Sequence, residues 1–468
     1  MKHFIAPLIL LGLVASPVAG AREPFASSYV PRVAEDVVFR GASVLTGTGE
    51  ALAVVDVRLS AGRIAAIGPD LPAVGARVVD AAGMWLTPGI IDVHSHLGDY
   101  PSPAIAATRD GNEATDPNTA QVWAEHSVWP QDPQFPLALA GGVTTLQILP
   151  GSANLFGGRG VTLKNVPSRT VQGMKFPGAK QALKMACGEN PKRVYGSRDK
   201  APSTRMGNIA GVRAAWAQAR HVMQERARAA DAQANADAAT AEAATPGVVA
   251  AVLPAPPAPD LAMDTLIGVL EGEILVHNHC YRADEMALMM DVAKEFQYKI
   301  TAFHHAVESY KIADLLAEAG ICSAMWADWW GFKLEAFDGI DENIALVDAA
   351  GACAIVHSDS AVGIQRLNQE AAKAMAAARR QGMTVTEADA IVWITLNAAR
   401  ALGIDAETGS LEVGKAADVV LWDGNPFSVY SRAQQVYIDG YRYYDRNDPA
   451  RQPRTDFDLQ QTVNGGAL

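Results

Sequence analysis

Alternating, strand-like runs dominate both ends of the chain, whereas the middle alternates short apolar runs with helical stretches. Residues 36–85 read as β structure in Val37–Phe39, Ala42–Leu45, Val55–Leu59 and Arg63–Ile67, broken by glycine-rich or polar turns. The pattern returns in Asp418–Trp422, Gln435–Ile438 and Tyr441–Tyr444. Two such ends predict one small β-sandwich shared by 36–87 and 401–445. Between 88 and 400 the candidate strands are 89–96, 142–149, 161–165, 182–187, 273–279, 299–305, 321–325 and 352–358. Eight strands alternating with helices predict an α/β architecture, a (β/α)8 TIM barrel with insertions. An open doubly wound sheet competes, but the run Leu155–Gly160 does not match a dinucleotide fingerprint opening a helix.

One insertion stands apart. Residues 209–260 begin as an Ala/Arg-rich helix, pass through Ala229–Ala244 and end in the proline cluster 254–259. Alanine favours helix and proline stops it, so the stretch reads as an elaborated crossover with a mobile tip, structural in role. Residues 1–21 read as an export signal: Lys2 and His3, an apolar core Phe4–Val14, and a small-residue cleavage site at Ala19–Ala21. That apolar run is shorter than a spanning helix, and no later one is long enough. The expected location is therefore periplasmic or secreted.

The net charge of −12 argues against a nucleic-acid surface, which needs basic patches. The four cysteines, Cys187, Cys280, Cys322 and Cys353, show neither CxxC spacing nor a small disulfide framework, although an exported compartment permits disulfides; Cys322 and Cys353, each opening an apolar strand-like run, are expected mostly as buried thiols.

The chemistry gathers at strand ends. In the first strand His94 and His96 are two apart, so both imidazoles face one side. The fifth carries His277 and His279 in the same relation. The sixth ends in His304 and His305, only one of which can point inward. The eighth ends His357-Ser-Asp359. These four segments hold seven of the ten histidines in the chain. Imidazoles and a carboxylate converging at one end of a barrel point to a metal site.

Together, Thr87-Pro-Gly-Ile-Ile-Asp-Val-His-Ser-His96, Gly141-Gly-Val-Thr-Thr145, His305-Ala-Val-Glu308, His357-Ser-Asp359 and Gly414-Lys-Ala-Ala-Asp418-Val-Val resemble the amidohydrolase superfamily. The likeness is to its imidazolonepropionase-like and Xaa-Pro or Xaa-Arg dipeptidase-like branches, and runs from about 36 to 445. It implies one or two divalent metals, usually zinc, with His94, His96 and Asp359 around the more buried ion. It also implies His277 as the fifth-strand ligand in preference to His279, and His305 as the sixth-strand ligand in preference to His304. A bridging acid comes from the fourth strand. Lys184, carboxylated by carbon dioxide, resembles it, with Lys164 as the fallback and Glu189 if a plain carboxylate serves.

That resemblance implies hydrolysis by metal-activated water, with Asp359 moving the proton to the leaving amine. A helix N-cap is the plainer role for Asp359. Candidate substrate-binding groups flank the ligands: His279, His304, Tyr281, Arg282, Tyr310, Lys311 and Lys333. A cation among them could hold a substrate carboxylate, and Trp329 and Trp330 either shape an apolar pocket or pack beneath the loops. The expected activity is an exported amidohydrolase cleaving C–N bonds of a dipeptide or N-acyl amino acid. Cyclic amides and lactones are the enzymatic alternative, and a non-catalytic metal- or ligand-binding barrel the alternative of another class. Expected partners are small molecules, without nucleic acid or a membrane span; the oligomeric state stays open.

Overall fold

The computed structural model describes residues 25–242 and 258–453. The export signal read at 1–21 and most of the proline cluster lie outside the described residues. The chain opens with β1 (Val37–Leu45), β2 (Ala51–Ser60), β3 (Arg63–Gly68), β4 (Arg77–Asp80) and β5 (Trp85–Pro88). Directly after β5 the chain enters the barrel through Gly89. A Cβ there would lie 2.0 Å from Thr144 Oγ1, so only glycine lets the backbone pass.

The second sheet contains, in spatial as in chain order, β6 (Ile90–Ser95), β7 (Val143–Ile148), β8 (Phe156–Lys164), β9 (Ala182–Ala186), β10 (Leu275–His279), β11 (Ala302–His304), β12 (Cys322–Met325) and β13 (Cys353–Val356). These are the eight apolar runs of the middle, and β6 and β7 are buried at every position, as strands covered on both faces must be. The sheet forms a nearly closed barrel: beyond β13, the Asp359 N–H donates to the His94 carbonyl of β6 at 3.0 Å.

One strand departs from the expected topology. β8 runs antiparallel to both β7 and β9, whereas the other neighbouring pairs are parallel. The reason is the connection. Only residues 149–155 separate β7 from β8, and a parallel return needs a crossover of roughly a dozen residues or more. The C-terminal end of β8 therefore points to the opposite end of the barrel from its neighbours' ends.

The insertion begins as read, with a helix from Arg205 to Glu242. Val212, Trp216, Ala219 and Val222 form its buried face, and Trp216 packs on Phe156 and Tyr298. After the barrel, β14 (Val419–Trp422), β15 (Ala433–Ile438) and β16 (Tyr441–Asp445) return to the first sheet. Its order is β16-β15-β14-β5-β1-β2-β3, with β4 beside β1. Both ends thus build one hydrogen-bonded sheet over a shared core of Phe39, Val57, Leu86, Val419 and Tyr437.

The cysteines are not thiols. Cys322 and Cys353 lie opposite each other on β12 and β13 and form a disulfide, and Cys187 and Cys280, just past β9 and β10, form a second. Strand adjacency brings each pair together, and sequence spacing does not display strand adjacency. Among the described residues no helix is long and apolar enough to cross a membrane.

Candidate metal centre

β6 ends at the centre of the site. His94 and His96 leave it on the same side, with His94 fully buried and His96 partly open. Asp359 meets both: its Oδ1 lies 3.2 Å from His96 Nε2 and 3.7 Å from His94 Nε2, and its Oδ2 lies 3.8 Å from His305 Nδ1. Asp359 and His305 have φ of +46° and +59°, the left-handed region that non-glycine residues adopt at a cost.

Asp92, fully buried on β6, holds the far side of this junction. It accepts hydrogen bonds from the Ser358 hydroxyl, the Ser358 N–H and the His94 N–H. Burial pushes its carboxyl up to about 7 despite those bonds. Burial pushes Asp359 up too, but the His96 hydrogen bond and the nearby His96, His357 and Lys184 side chains outweigh it and hold its pKa below the ordinary carboxylate value.

The three candidates for the fourth-strand acid end up in different places. Lys184 is fully buried on β9, 3.5 Å from His94 Nε2, and donates to the Pro150 carbonyl at 3.0 Å. Burial, with nearby Asp359 opposing, lowers its amine to about 7. Lys164 is at the other end of the barrel, because β8 is reversed; its ammonium pairs with Asp439 at 2.9 Å and Asp418 at 3.7 Å. Glu189 starts the helix Glu189–Gly196 and faces Lys333 at 3.5 Å. Only Lys184 of the three approaches the histidines.

The paired histidines divide by depth. Both His277 nitrogens are engaged, Nε2 with the Ala401 carbonyl at 3.2 Å and Nδ1 with His304 Nε2 at 2.8 Å. His304 Nδ1 in turn lies 2.8 Å from His94 Nδ1. By contrast, neither nitrogen of buried His279 has a partner, and its ring packs edge-on to Tyr281 and His305. His305 meets His357 Nε2 at 2.8 Å. Burial drives His94, His279, His304 and His305 well below the usual imidazole pKa, His277 to about 3 and His357 to about 4. Neutral imidazoles are the form that binds a metal.

The expected substrate groups also separate. Tyr281 sits beside His279 and His305, and Lys333 holds its ammonium 4.0 Å from the Tyr281 ring centroid. Three others turn away. Arg282 pairs with Asp284 at 2.9 Å, Lys311 with Asp338 and Glu308, and the Tyr310 hydroxyl donates to the Asp338 carbonyl. The short helical turn Ser309–Ile312 follows His305 after three intervening residues, and carries Tyr310 and Lys311 toward exposed Asp338 and buried Glu308.

Sequence reasoning passed over Trp326. It follows β12 directly, and its ring stacks between His305 at 4.4 Å and Trp329 at 5.1 Å. Its indole N–H donates to the Ser358 carbonyl at 3.2 Å. The signal was available, since a side chain leaving a barrel strand at its C-terminal end faces the site. Trp330 is largely exposed.

Among the described residues, two sets each bring their donor atoms within 4.8 Å of one another: His94, His96 and Asp359, and His94, His304 and His357. The first mixes imidazole and carboxylate, adjoins Lys184 and reaches the partnerless His279 by way of His305, a donor set that suits a divalent ion such as zinc.

The chain is 32% identical over 417 residues to amidohydrolase tasK of Hapsidospora irregularis, covering 85% of this chain but only 41% of that protein. It thus spans about two fifths of that relative's length. It is 24% identical over 406 residues to the imidazolonepropionase of Mesorhizobium japonicum, covering 80% of this chain and 85% of that enzyme. The crystal structure of an amidohydrolase from Thermotoga maritima MSB8 superposes with a TM-score of 0.75 at 34% identity, covering 88% of this chain and 100% of that one. A model of the amidohydrolase family matches residues 85–458 from β5 through the barrel and back to the first sheet, and the chain belongs to that family.

Proposed function

We propose that this protein is an exported, divalent-metal-dependent hydrolase of amide C–N bonds, acting on a dipeptide or an N-acyl amino acid. The observation that carries the reading is the convergence of His94 Nε2, His96 Nε2 and the Asp359 carboxylate beside buried Lys184. The proposed ligands are His94, His96, Asp359, His279, His305 and Lys184. His279 replaces His277 in this set because both nitrogens of His277 are already engaged, while those of His279 are not. Lys184 enters as the carboxylated side chain: buried without an acidic hydrogen-bond partner, it costs least as a neutral amine, the form that captures carbon dioxide.

A divalent ion held there, zinc by its donor set, would supply Lewis acidity and a water that ionises near neutral pH. The chain's own groups do the rest. Asp359 takes the proton of the attacking water and returns it to the leaving nitrogen. His96, whose Nδ1 donates to the Leu149 carbonyl at 2.7 Å, keeps Nε2 directed at Asp359. Lys333 receives the substrate carboxylate, and Trp326 with Trp329 offers a flat wall for its apolar part.

Two disulfides support export, since such bonds persist in oxidising compartments. Likeness to an imidazolonepropionase keeps a cyclic amide as the second reading. Metal analysis of the purified protein, with a screen of dipeptides, N-acyl amino acids, cyclic amides and lactones, decides between them. The expected result is bound zinc and turnover of an open-chain amide, abolished in Asp359→Asn. Turnover retained in Asp359→Asn defeats the proton-transfer role, and metal binding without any turnover favours a binding protein.

A further inference from the structure

Three histidines run in single file beneath the metal centre. His94 Nδ1 lies 2.8 Å from His304 Nδ1, His304 Nε2 lies 2.8 Å from His277 Nδ1, and His277 Nε2 lies 3.2 Å from the Ala401 carbonyl oxygen. All three residues are fully buried. Among the described residues neither His277 nor His304 has a carboxylate partner, so nothing offsets the cost of burying an imidazolium. Each neutral ring then has one N–H and one lone pair.

The carbonyl can only accept, and this settles the direction of every bond in the file. His277 must carry its proton on Nε2, leaving Nδ1 to accept. His304 must therefore donate from Nε2 and accept at Nδ1. His94 must donate from Nδ1, which leaves the lone pair on Nε2. That nitrogen faces Asp359 at 3.7 Å, and lies 3.5 Å from the Lys184 amine, a donor that needs an acceptor there.

We infer that His304 and His277 are positioning residues: a relay, anchored on the Ala401 carbonyl, that locks His94 in the tautomer and orientation that present Nε2 to the metal. The inference rests on the proposed metal centre. It also separates the two donor sets, because an ion among His94, His304 and His357 would need a lone pair of His304, whose Nδ1 accepts from His94 and whose Nε2 donates to His277 in the relay. Second-layer partners of this kind are worth roughly 10–100-fold in metal affinity.

The test uses the full chain stripped of metal. Two-bond proton–nitrogen correlation on histidine-labelled protein should show His277 and His304 protonated on Nε2 and His94 on Nδ1. Zinc affinity is then measured by competition with a chromophoric chelator. His277→Phe fills the space without hydrogen bonds and should lose about 10–100-fold. His277→Gln can donate to Ala401 and accept from His304, and should stay within about threefold of the wild type. The relay is overturned if His277 carries its proton on Nδ1, if His277→Phe binds zinc as the wild type does, or if His277→Gln falls as far as His277→Phe. If His277→Phe does not fold, the wild-type spectrum decides. Should His96→Ala and Asp359→Asn leave zinc binding untouched, the metal-centre reading fails; if they abolish it while His277→Phe does not, the relay alone fails.

Discussion

Trp326 stacks on His305, with ring centroids 4.4 Å apart and planes 26° from parallel. The indole fixes one proposed ligand from behind, and its N–H bond to Ser358 ties the same ring to the loop that carries Asp359. Aromatic pairing of this kind is worth about 0.5–1.5 kcal/mol beyond the area buried. Trp326→Ala should therefore lower kcat/KM on the preferred amide by about tenfold and reduce zinc retention, while Trp326→Phe keeps most of both. Steady-state kinetics with metal analysis of each variant checks this; an unchanged kcat/KM in Trp326→Ala would remove the ring from the site.

The ammonium of Lys333 lies over the Tyr281 ring and 3.5 Å from Glu189. Burial lowers its pKa, with Glu189 opposing, so it is a poorly hydrated cation at the rim of the site. A charge-assisted hydrogen bond to a substrate carboxylate contributes about 1.5–3 kcal/mol. Lys333→Met should raise KM for carboxylate substrates by about ten- to a hundredfold and change kcat little. Substrates with an amidated C-terminus provide the control. If wild type and variant separate equally on both substrate sets, Lys333 does not read the carboxylate.

How far the sequence reaches can be seen at individual residues. His94 and His96 were legible because a period of two puts both on one face, and the eight apolar runs each became a barrel strand. The direction of β8 was not legible, although the short 149–155 link holds the reason, and with it went the true position of Lys164. The choice between His277 and His279 depends on depth along a strand, which side-chain periodicity does not encode. Arg282, Tyr310 and Lys311 looked like substrate contacts by their nearness in sequence to ligands. Their local acids, Asp284, Asp338 and Glu308, engage them elsewhere.

The disulfides close loops of very different length, 93 residues for Cys187–Cys280 and 31 for Cys322–Cys353. On chain-entropy grounds each stabilises by about 2–5 kcal/mol, the longer loop by more. Replacing Cys187 and Cys280 together by serine should lower Tm further than replacing Cys322 and Cys353, and dithiothreitol should lower the wild-type Tm toward both. Differential scanning calorimetry with and without reductant measures it. A wild-type Tm indifferent to full reduction, verified by thiol titration, would show that the cross-links carry no stability.

Glu285 and Glu335 face each other across Gly188: a Cβ on that glycine would stand 2.7 Å from Glu335 Oε2 and 3.2 Å from Glu285 Oε2. Glu285 Oε2 is buried and has no hydrogen-bond partner. Burial first, and the Glu335 charge second, raise Glu285 to about 7. Its folded pKa is thus above its unfolded one, so the native state binds more protons between about pH 4.5 and pH 7. Unfolding free energy falls as pH rises through that window, and the penalty is fully present above it. Glu285→Gln keeps the size of the side chain and cannot ionise. It should be more stable than the wild type by on the order of 1–3 kcal/mol at pH 8, with the difference vanishing below about pH 4.5. Denaturant titrations of both proteins across that range test the sign. A gap that is constant with pH, or that widens as the solution is acidified, would mean that Glu285 is ionised at no cost in the folded chain.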